Sequence, residues 1–444
     1  MNKPASLEVA VYGAGYVGLA ASIAWAEAGL RVQCVEANPE RLQKLQSFQM
    51  ITDESIFQRA FEMVRAGNLS FTGSAAEAAA PVVFICVGTP SLEDGSADLR
   101  AVWQVGSDIA RSLKGDTTVF MKSTVPPGTC DALENHMRTE LQNIGSMQQA
   151  SIEVVSNPEF MREGSAVQDF KEPDRVVIGA NSDGARDVAQ QLFHYLPGCR
   201  DRLLFMRRTS AELAKYGSNA FLATRIAMIN DLALIADRYQ ADITEISAGI
   251  GSDHRIGPEF LRAGNGFGGS CFPKDLRALD HVSAGFLDSG LFQSVLTANE
   301  QHRLYPLQLA KNRFGDSLEG LKVAMLGVAF KAGVADTRDS PALFLAERLL
   351  SEGVQVSAYD PLLASSVHPG IEVASDPLSA VKGADMVVIC TESAEFKQLD
   401  WAQLRAQMRQ DFLVDAVNAI DQKQMQQQRI ATLFDYRGIG RPKQ

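Results

Sequence analysis

The order of elements written into this chain predicts an α/β protein: two Rossmann-like doubly wound domains joined by a long central helix. Three observations carry that reading. Within residues 7–36 an apolar strand, a glycine-rich turn, a helix and a second strand ending in an acid follow one another. From Ala211 to Arg238 the apolar residues keep a helical period, and no proline interrupts the chain between Thr209 and Pro258. From Leu321 onward, strand and helix alternate again, this time without the glycine motif. The expected division is 1–207, 208–312 and 313–444.

Leu7–Tyr12 reads as the first strand and runs into Gly13-Ala14-Gly15-Tyr16-Val17-Gly18. A helix follows over Leu19–Ala28, and a strand over Arg31–Val35 ends at Glu36. In this pattern the first glycine makes the tight turn, the second admits a pyrophosphate and the third lets helix pack on strand. The helix N-terminus supplies free N–H groups and a favourable dipole for the anion. Glu36 is placed to accept hydrogen bonds from ribose hydroxyls and to repel a 2′-phosphate, so NAD is expected rather than NADP. Arg41 either contacts the same ribose or is a solvated helix residue.

Pro81–Val87 is a continuous apolar run, as a buried parallel strand requires, and Val119–Ser123 is another. Ligands of doubly wound sheets bind outside the carboxyl ends of strands, which puts Thr89 and Thr124 at cofactor height unless they only cap the next turns. Residues 151–156 form a further strand, followed at its carboxyl end by Asn157–Glu163, and Val176–Gly179 forms one more.

Thr209-x-x-Glu212 reads as a capping box opening a helix of about 40 Å, a natural connector between domains and a natural dimer surface. Lys215 and Asn219 stand four residues apart and share a face of it, although a lone lysine there would ordinarily point outward. Beyond this helix comes Gly264-Asn-Gly-Phe-Gly-Gly-Ser-Cys271-Phe-Pro-Lys274-Asp275. Proline is favoured in a first helical turn, so Cys271 sits at a helix N-terminus beside Lys274. Both surroundings favour a thiolate; the alternative is a tight turn ending in a structural cysteine.

Leu321–Gly327 opens the last region as a strand running into Val328–Lys331 and a polar loop, Asp336–Ser340, before a helix from Pro341. Val354–Tyr359, Asp385–Cys390 and Phe412–Val414 are further strands. The turn Gly327-x-x-x-Lys331 suits a nucleotide other than the first domain's. The glutamine-rich tail and the closing Asp435–Arg441 read as a flexible end.

A net charge of −11 argues against nucleic acid and anionic membranes as partners while leaving room for an anionic small molecule in a local basic pocket. The six scattered cysteines include no C-x-x-C pair, which points to reduced thiols in a cytoplasmic protein, and no metal site is expected. No signal peptide is evident, and no apolar run approaches the ~18 residues that span a bilayer.

An NAD site, a reactive cysteine, a lysine and a second nucleotide-type domain together suggest oxidation through a covalent thiohemiacetal. A thiolate adds to an aldehyde, hydride leaves to NAD, and water hydrolyses the thioester that remains. Asp275, four residues after Cys271, is the natural group to activate that water.

The chain resembles the UDP-glucose/GDP-mannose dehydrogenase family over essentially its full length. The matching segments are V-Y-G-A-G-Y-V-G, F-I-C-V-G-T-P, K-S-T-V-P-P-G-T, N-P-E-F-M-R-E-G-S-A, A-E-L-A-K-Y-G-S-N-A-F, G-F-G-G-S-C-F-P-K-D and G-V-A-F-K-A-G-V-A-D-T-R-D-S-P-A. The resemblance implies oxidation of a nucleotide sugar at C6, from alcohol to acid, with two NAD in succession. It implies Cys271 as thioester-forming nucleophile, Lys215 as oxyanion stabiliser and Asn219 as its neighbour. Asp275 and Thr124 match groups that position or activate water, and Glu159 matches a further acid/base participant.

For NAD it implies Gly13, Gly15, Tyr16, Val17, Gly18, Glu36, Arg41, Thr89, Thr124, Glu163, Lys274 and Arg338. For the sugar nucleotide it implies Glu159, Phe160, Met161, Arg162, Lys215, Asn219, Arg255, Phe260, Leu261, Arg262, Ala263, Gly264, Gly268 and Lys331, with the C-terminal domain holding the nucleoside diphosphate.

Arg255-Ile256-Gly257, Pro173–Arg175, Tyr359–Pro361 and the terminal Y-R-G-I-G-R resemble the UDP-glucose branch. Phe330–Gly333 and Val414–Asn418 lean to the GDP-mannose branch, and Val417 stands where the first branch usually has arginine. Ile51–Phe57 departs from the usual turn, keeping Glu54, which implies a different lid. The expected reaction is UDP-glucose to UDP-glucuronate, with GDP-mannose and N-acetylated UDP-hexosamines as competing substrates. A single-step β-hydroxyacid dehydrogenase, which needs no cysteine, and a non-catalytic NAD-binding scaffold are the rivals from other classes. The expected assembly is a homodimer.

Overall fold

The computed structural model describes residues 7–49, 54–144, 150–363 and 367–442. The chain forms two compact units, Met1–Ser218 and Asn219–Gln444. The stretch expected to form a divergent lid begins at residues 51–53, outside the described residues; from Glu54 the chain is the helix Glu54–Arg65.

The first unit holds β1 (Glu8–Tyr12), β2 (Arg31–Val35), β3 (Leu69–Thr72), β4 (Val82–Ile85), β5 (Thr117–Met121), β6 (Ile152–Ser156), β7 (Val176–Gly179) and β8 (Leu203–Met206). They form one sheet in the order β3-β2-β1-β4-β5-β6-β7-β8. The first six follow the doubly wound dinucleotide order and are parallel, whereas β7 meets β6 antiparallel. The period-2 alternation of strands splits the core between the two faces. Val9, Val11, Phe84 and Phe120 pack under Trp25 and Phe193, while Ala10, Tyr12, Val83 and Met121 pack under Leu133 and Met137. The helices that fix the site are α1 (Tyr16–Glu27), α2 (Pro39–Gln46) and α3 (Thr129–Asn143). Strands β3 and β8 were not anticipated from sequence; both are short, and β8 is a half-exposed edge.

Helix α4 (Arg208–Tyr239) has 32 residues, about 48 Å of rise, and the boundary between the units falls within it. The expected capping box is not formed. The helix already includes Arg208, and the Glu212 carboxylate accepts from the backbone N–H groups of Gly128 (2.6 Å) and Cys130 (2.8 Å). It therefore caps the N-terminus of α3, which has no side-chain cap of its own, and satisfies N–H groups that a helix start leaves orphaned. By length and composition α4 could cross a bilayer, contrary to the sequence reading. Glu212, Lys215, Asn219 and Asn230 are nevertheless buried along it, as on a helix packed within a globular protein.

The second unit begins with helices that include α5 (Phe272–Ser283) and α6 (Leu291–Arg303). It then builds β9 (Lys322–Leu326), α7 (Pro341–Ser351), β10 (Gln355–Tyr359), β11 (Ile371–Val373), β12 (Met386–Ile389), β13 (Phe412–Asp415) and β14 (Asp435–Gly438). Their order, β11-β10-β9-β12-β13-β14, repeats the dinucleotide order of the first unit, and every pairing is parallel. The expected flexible end is a correction: Asp435–Gly438 pairs with β13, and Tyr436 and Ile439 are buried. Its backbone groups are satisfied by the sheet, a partner no local sequence pattern reveals.

Candidate active site

The N-terminal turn has the geometry its spacing predicts. Gly13 adopts φ +98°, and a Cβ there would stand 2.8 Å from the Cys86 carbonyl oxygen. At Gly18 a Cβ would lie 1.8 Å from the Gly13 oxygen, so only glycine lets α1 pack this close to the turn. Gly15 faces open space instead. It is the N-cap of α1, with no side-chain cap and no acid in the first turn, which leaves N–H groups and a positive dipole end for an anion. This cradle fits the pyrophosphate of NAD.

Glu36 accepts from the N–H of Asn38 (2.9 Å) and of Ala14 (3.3 Å), which holds its carboxylate at the turn. Arg41 is not a solvated helix residue: its guanidinium donates to the Ala14 carbonyl at 2.9 and 3.2 Å and lies 3.5 Å from Glu36. Val17 and Tyr16 are partly buried against the core, and the Tyr16 hydroxyl accepts from the Gly164 N–H, next to Glu163. Thr89 and Thr124 are buried. Thr89 does not cap the next turn; its hydroxyl donates to the Thr124 carbonyl at 2.8 Å, tying together the loops after β4 and β5.

Also in the first unit, Lys215 points inward, against the outward expectation for a lone lysine. It is buried and its Nζ donates to Glu159 Oε1 at 2.8 Å, 5.3 Å from the centroid of the Phe160 ring. The other Glu159 oxygen accepts from the Met161 N–H at 2.7 Å. Burial alone would raise the Glu159 carboxyl; the Lys215 charge and hydrogen bond, with Met161 and Lys122, outweigh it and hold it below its ordinary value. Lys122, which sequence reading passed over, is buried against Asn157 (3.3 Å), and burial pushes its ammonium down to about 8 against the pull of Glu159. Phe160 is covered by Arg175 at 3.9 Å, and the exposed Arg162 is engaged by Asp169.

In the second unit, Cys271 is the N-cap of α5. It is exposed, whereas the other five cysteines are buried. Asp275, one turn on, is fully buried; its carboxylate accepts from Asn219 Nδ2 at 2.6 Å and from Lys274 Nζ at 2.5 Å. The ammonium of Lys274 is thus engaged by Asp275. The loop's glycines also do more than face a ligand. A Cβ at Gly268 would lie 2.2 Å from the Asp339 carbonyl oxygen, and one at Gly269 would stand 2.8 Å from the Phe330 ring.

The remaining residues assigned to the sugar nucleotide divide. Leu261 and Ala263 bury their side chains in a core with Ile229 and Ile243, so only their backbone is available to a ligand. Arg262 reaches Glu392 and the Asn418 carbonyl, and the Gly264 N–H donates to Asn230 at 2.8 Å. Phe260, at φ +59°, and Arg255, paired with Asp253, are exposed, as is Arg338, paired with Asp336. Lys331 lies over the Phe330 ring at 5.6 Å.

The turn after β9 is held by an acid at the end of the neighbouring strand, as the first unit's turn is by Glu36. Asp360 at the end of β10 accepts from both the Val328 and Ala329 N–H groups, at 2.9 and 3.1 Å. Glu36, at the equivalent end of β2, makes the same kind of contact to its turn through the Ala14 N–H alone. Sequence reading placed Asp360 at a strand end, the signal for this role, and assigned it none.

A dinucleotide cradle, a buried Lys–Glu pair and an exposed cysteine at a helix N-terminus define an NAD-dependent oxidoreductase. The NAD-binding, central and UDP-binding domain models of the UDP-glucose/GDP-mannose dehydrogenase family match residues 7–197, 209–301 and 324–422. A UDP-glucose 6-dehydrogenase of Pseudomonas aeruginosa is 40% identical, over 98% of each chain. Among solved structures, a UDP-glucose dehydrogenase from Pyrobaculum islandicum gives a TM-score of 0.88 at 33% identity over 98% of each chain. A UDP-D-ManNAc dehydrogenase from Pyrococcus horikoshii gives 0.85 at 27% identity, over 99% of this chain and 100% of the other. The chain belongs to the UDP-glucose/GDP-mannose dehydrogenase family and is an NAD-dependent nucleotide-sugar dehydrogenase.

Proposed function

We propose that the enzyme oxidises UDP-glucose at C6 to UDP-glucuronate, through a thioester on Cys271. The observation that carries the covalent route is the placement of Cys271 as an exposed helix N-cap while all other cysteines are buried. The choice of sugar is supported by the 40%-identical UDP-glucose 6-dehydrogenase and by the Arg255–Gly257 and C-terminal segments.

NAD held at the Gly13–Gly18 turn would supply the hydride acceptor, one NAD for each of the two oxidations. In the first half-reaction the C6 hydroxyl loses its proton to a base and C6 loses hydride, giving the aldehyde. Cys271 sulfur then bonds to C6, and the resulting thiohemiacetal loses a second hydride and a proton to become a thioester. Water cleaves the C–S bond, returning the thiol and releasing the carboxylate. Lys215, held in place by Glu159, stabilises the oxyanion that develops at O6. Asp275, fixed by Asn219 and Lys274, activates the attacking water; by resemblance Thr124 is a further group that positions water, and Glu159 takes part in proton transfer.

The test is NADH formation with UDP-glucose, GDP-mannose and N-acetylated UDP-hexosamines supplied in turn. UDP-glucose is expected to give the highest kcat/KM and two NADH per sugar. Preference for GDP-mannose or for an N-acetylhexosamine, the substrate type of the 27%-identical relative, reassigns the sugar. One NADH per sugar overturns the four-electron reaction.

We also infer that the protein is a cytoplasmic homodimer that does not engage membranes. Phe221, Met228 and Ile235 recur every seven residues along α4 and are exposed, with Tyr239 one turn further. A stripe of this kind buries itself against another apolar surface, and a second copy of the same helix is self-complementary. Phe221→Asp with Met228→Asp is expected to yield a monomer in sedimentation velocity; a wild-type protein that sediments as a monomer rejects the assembly.

A further inference from the structure

The loop that ends at Cys271 has no sheet or helix to satisfy its backbone, and two buried residues of α6 do so instead. Asn299 accepts from the Phe267 N–H through Oδ1 (2.7 Å) and donates to the Phe267 carbonyl through Nδ2 (3.0 Å). Holding both groups of one residue fixes the orientation of the backbone there, four residues before the sulfur. One turn along the same helix, Arg303 Nη2 donates to the same carbonyl at 2.7 Å and to the Asp339 carbonyl at 3.0 Å. Its guanidinium lies 5.4 Å from the centroid of the Phe344 ring. The Gly269 N–H closes the arrangement on the Arg338 carbonyl at 3.0 Å. The glycines make room for it: a Cβ at Gly266 would stand 2.6 Å from Asn299 Oδ1, and one at Gly268 would strike the Asp339 oxygen.

We propose that Asn299 and Arg303 are positioning residues that lock the Cys271 loop to the loop carrying Arg338, so that the two loops keep one register. Arg303 suits this task because a single terminal nitrogen carries two N–H groups and serves two carbonyls at once. A buried carbonyl deprived of its donor costs free energy that the loop recovers by moving toward water. The catalytic consequence rests on the assignment of Cys271 as nucleophile; the structural one does not.

Arg303→Met, Arg303→Lys and Asn299→Ala test the proposal. In Arg303→Met, amide hydrogen exchange is expected to accelerate in 264–271 and in 336–340 together, while the strands β9–β14 keep their protection. The kcat falls by about 10²-fold, the loss typical of a misplaced reacting group. Arg303→Lys recovers part of both effects, since an ammonium can reach one of the two carbonyls. Asn299→Ala loosens 264–271 but not 336–340.

The five buried cysteines report on folding, because a collapsed variant exposes them to iodoacetamide. Unchanged exchange in the two loops overturns the proposal, and so does activity lost in step with alkylation of the buried cysteines. If wild type turns over no nucleotide sugar, the proposed function fails while the exchange measurements still decide the clamp.

Discussion

Cys271→Ala is expected to form no carboxylate and to lose the two-NADH stoichiometry, with kcat down by on the order of 10⁴-fold or more, as when a covalent nucleophile is removed. The fold should be indifferent to the change, since the side chain is exposed at the start of α5 and buries little. Circular dichroism and the urea midpoint should therefore match wild type. No other thiol can take over, because Cys34, Cys86, Cys130, Cys199 and Cys390 are buried. A variant that still delivers two NADH per sugar would remove the thioester from the mechanism. Oxidation with a single NADH in both proteins would point to a one-step alcohol dehydrogenase.

Lys215→Ala should be damaging twice over. Lys215 and Glu159 are each more than nine-tenths buried as side chains, and removing one member of such a pair leaves an uncompensated charge. The loss of stability is expected at about 3–5 kcal/mol, and kcat should fall by about 10²–10³-fold when an oxyanion donor is removed. The two effects separate in Lys215→Met combined with Glu159→Gln: the urea midpoint should recover, while activity stays low.

The pH dependence follows from the sign of the shift. Glu159 is held below its unfolded value, so its contribution is present above about pH 4.3 and is lost as pH falls through the folded value. Lys215→Ala removes the main attraction that lowers this carboxyl. The part of acid unfolding due to Glu159 should then vanish or reverse, because burial raises the carboxyl once Lys215 is gone, and a stability–pH curve parallel to wild type below pH 5 would contradict the pairing.

Much of the frame was legible because it depends on short-range rules. The spacing of Gly13, Gly15 and Gly18 between an apolar strand and a helix is enough to specify the turn, and the structure puts each glycine where that rule needs it. Strand β2 ends at Val35, just before Glu36, as read. Helix α7 starts at Pro341 and α5 starts around Pro273, both as proline's fixed φ and missing N–H dictate. What failed did so for want of a local signal. Thr209 and Glu212 have capping-box spacing, yet the carboxylate serves α3, far away in sequence. The polar C-terminal stretch reads as loose until β13 gives it a parallel partner.

By itself, then, the sequence determined two doubly wound sheets, an NAD turn and a cysteine at a helix start, because each is set by residues within a few positions of one another. Tertiary structure alone decided which charges are buried. Lys215 turns inward because Glu159, 56 residues away, accepts its hydrogen bond. Asp360 holds the second turn by accepting N–H groups about 30 residues before it. Asn299 and Arg303 hold the Cys271 loop from a separate helix. A buried polar group must find a partner, and when the partner is distant in sequence only the folded chain reveals it.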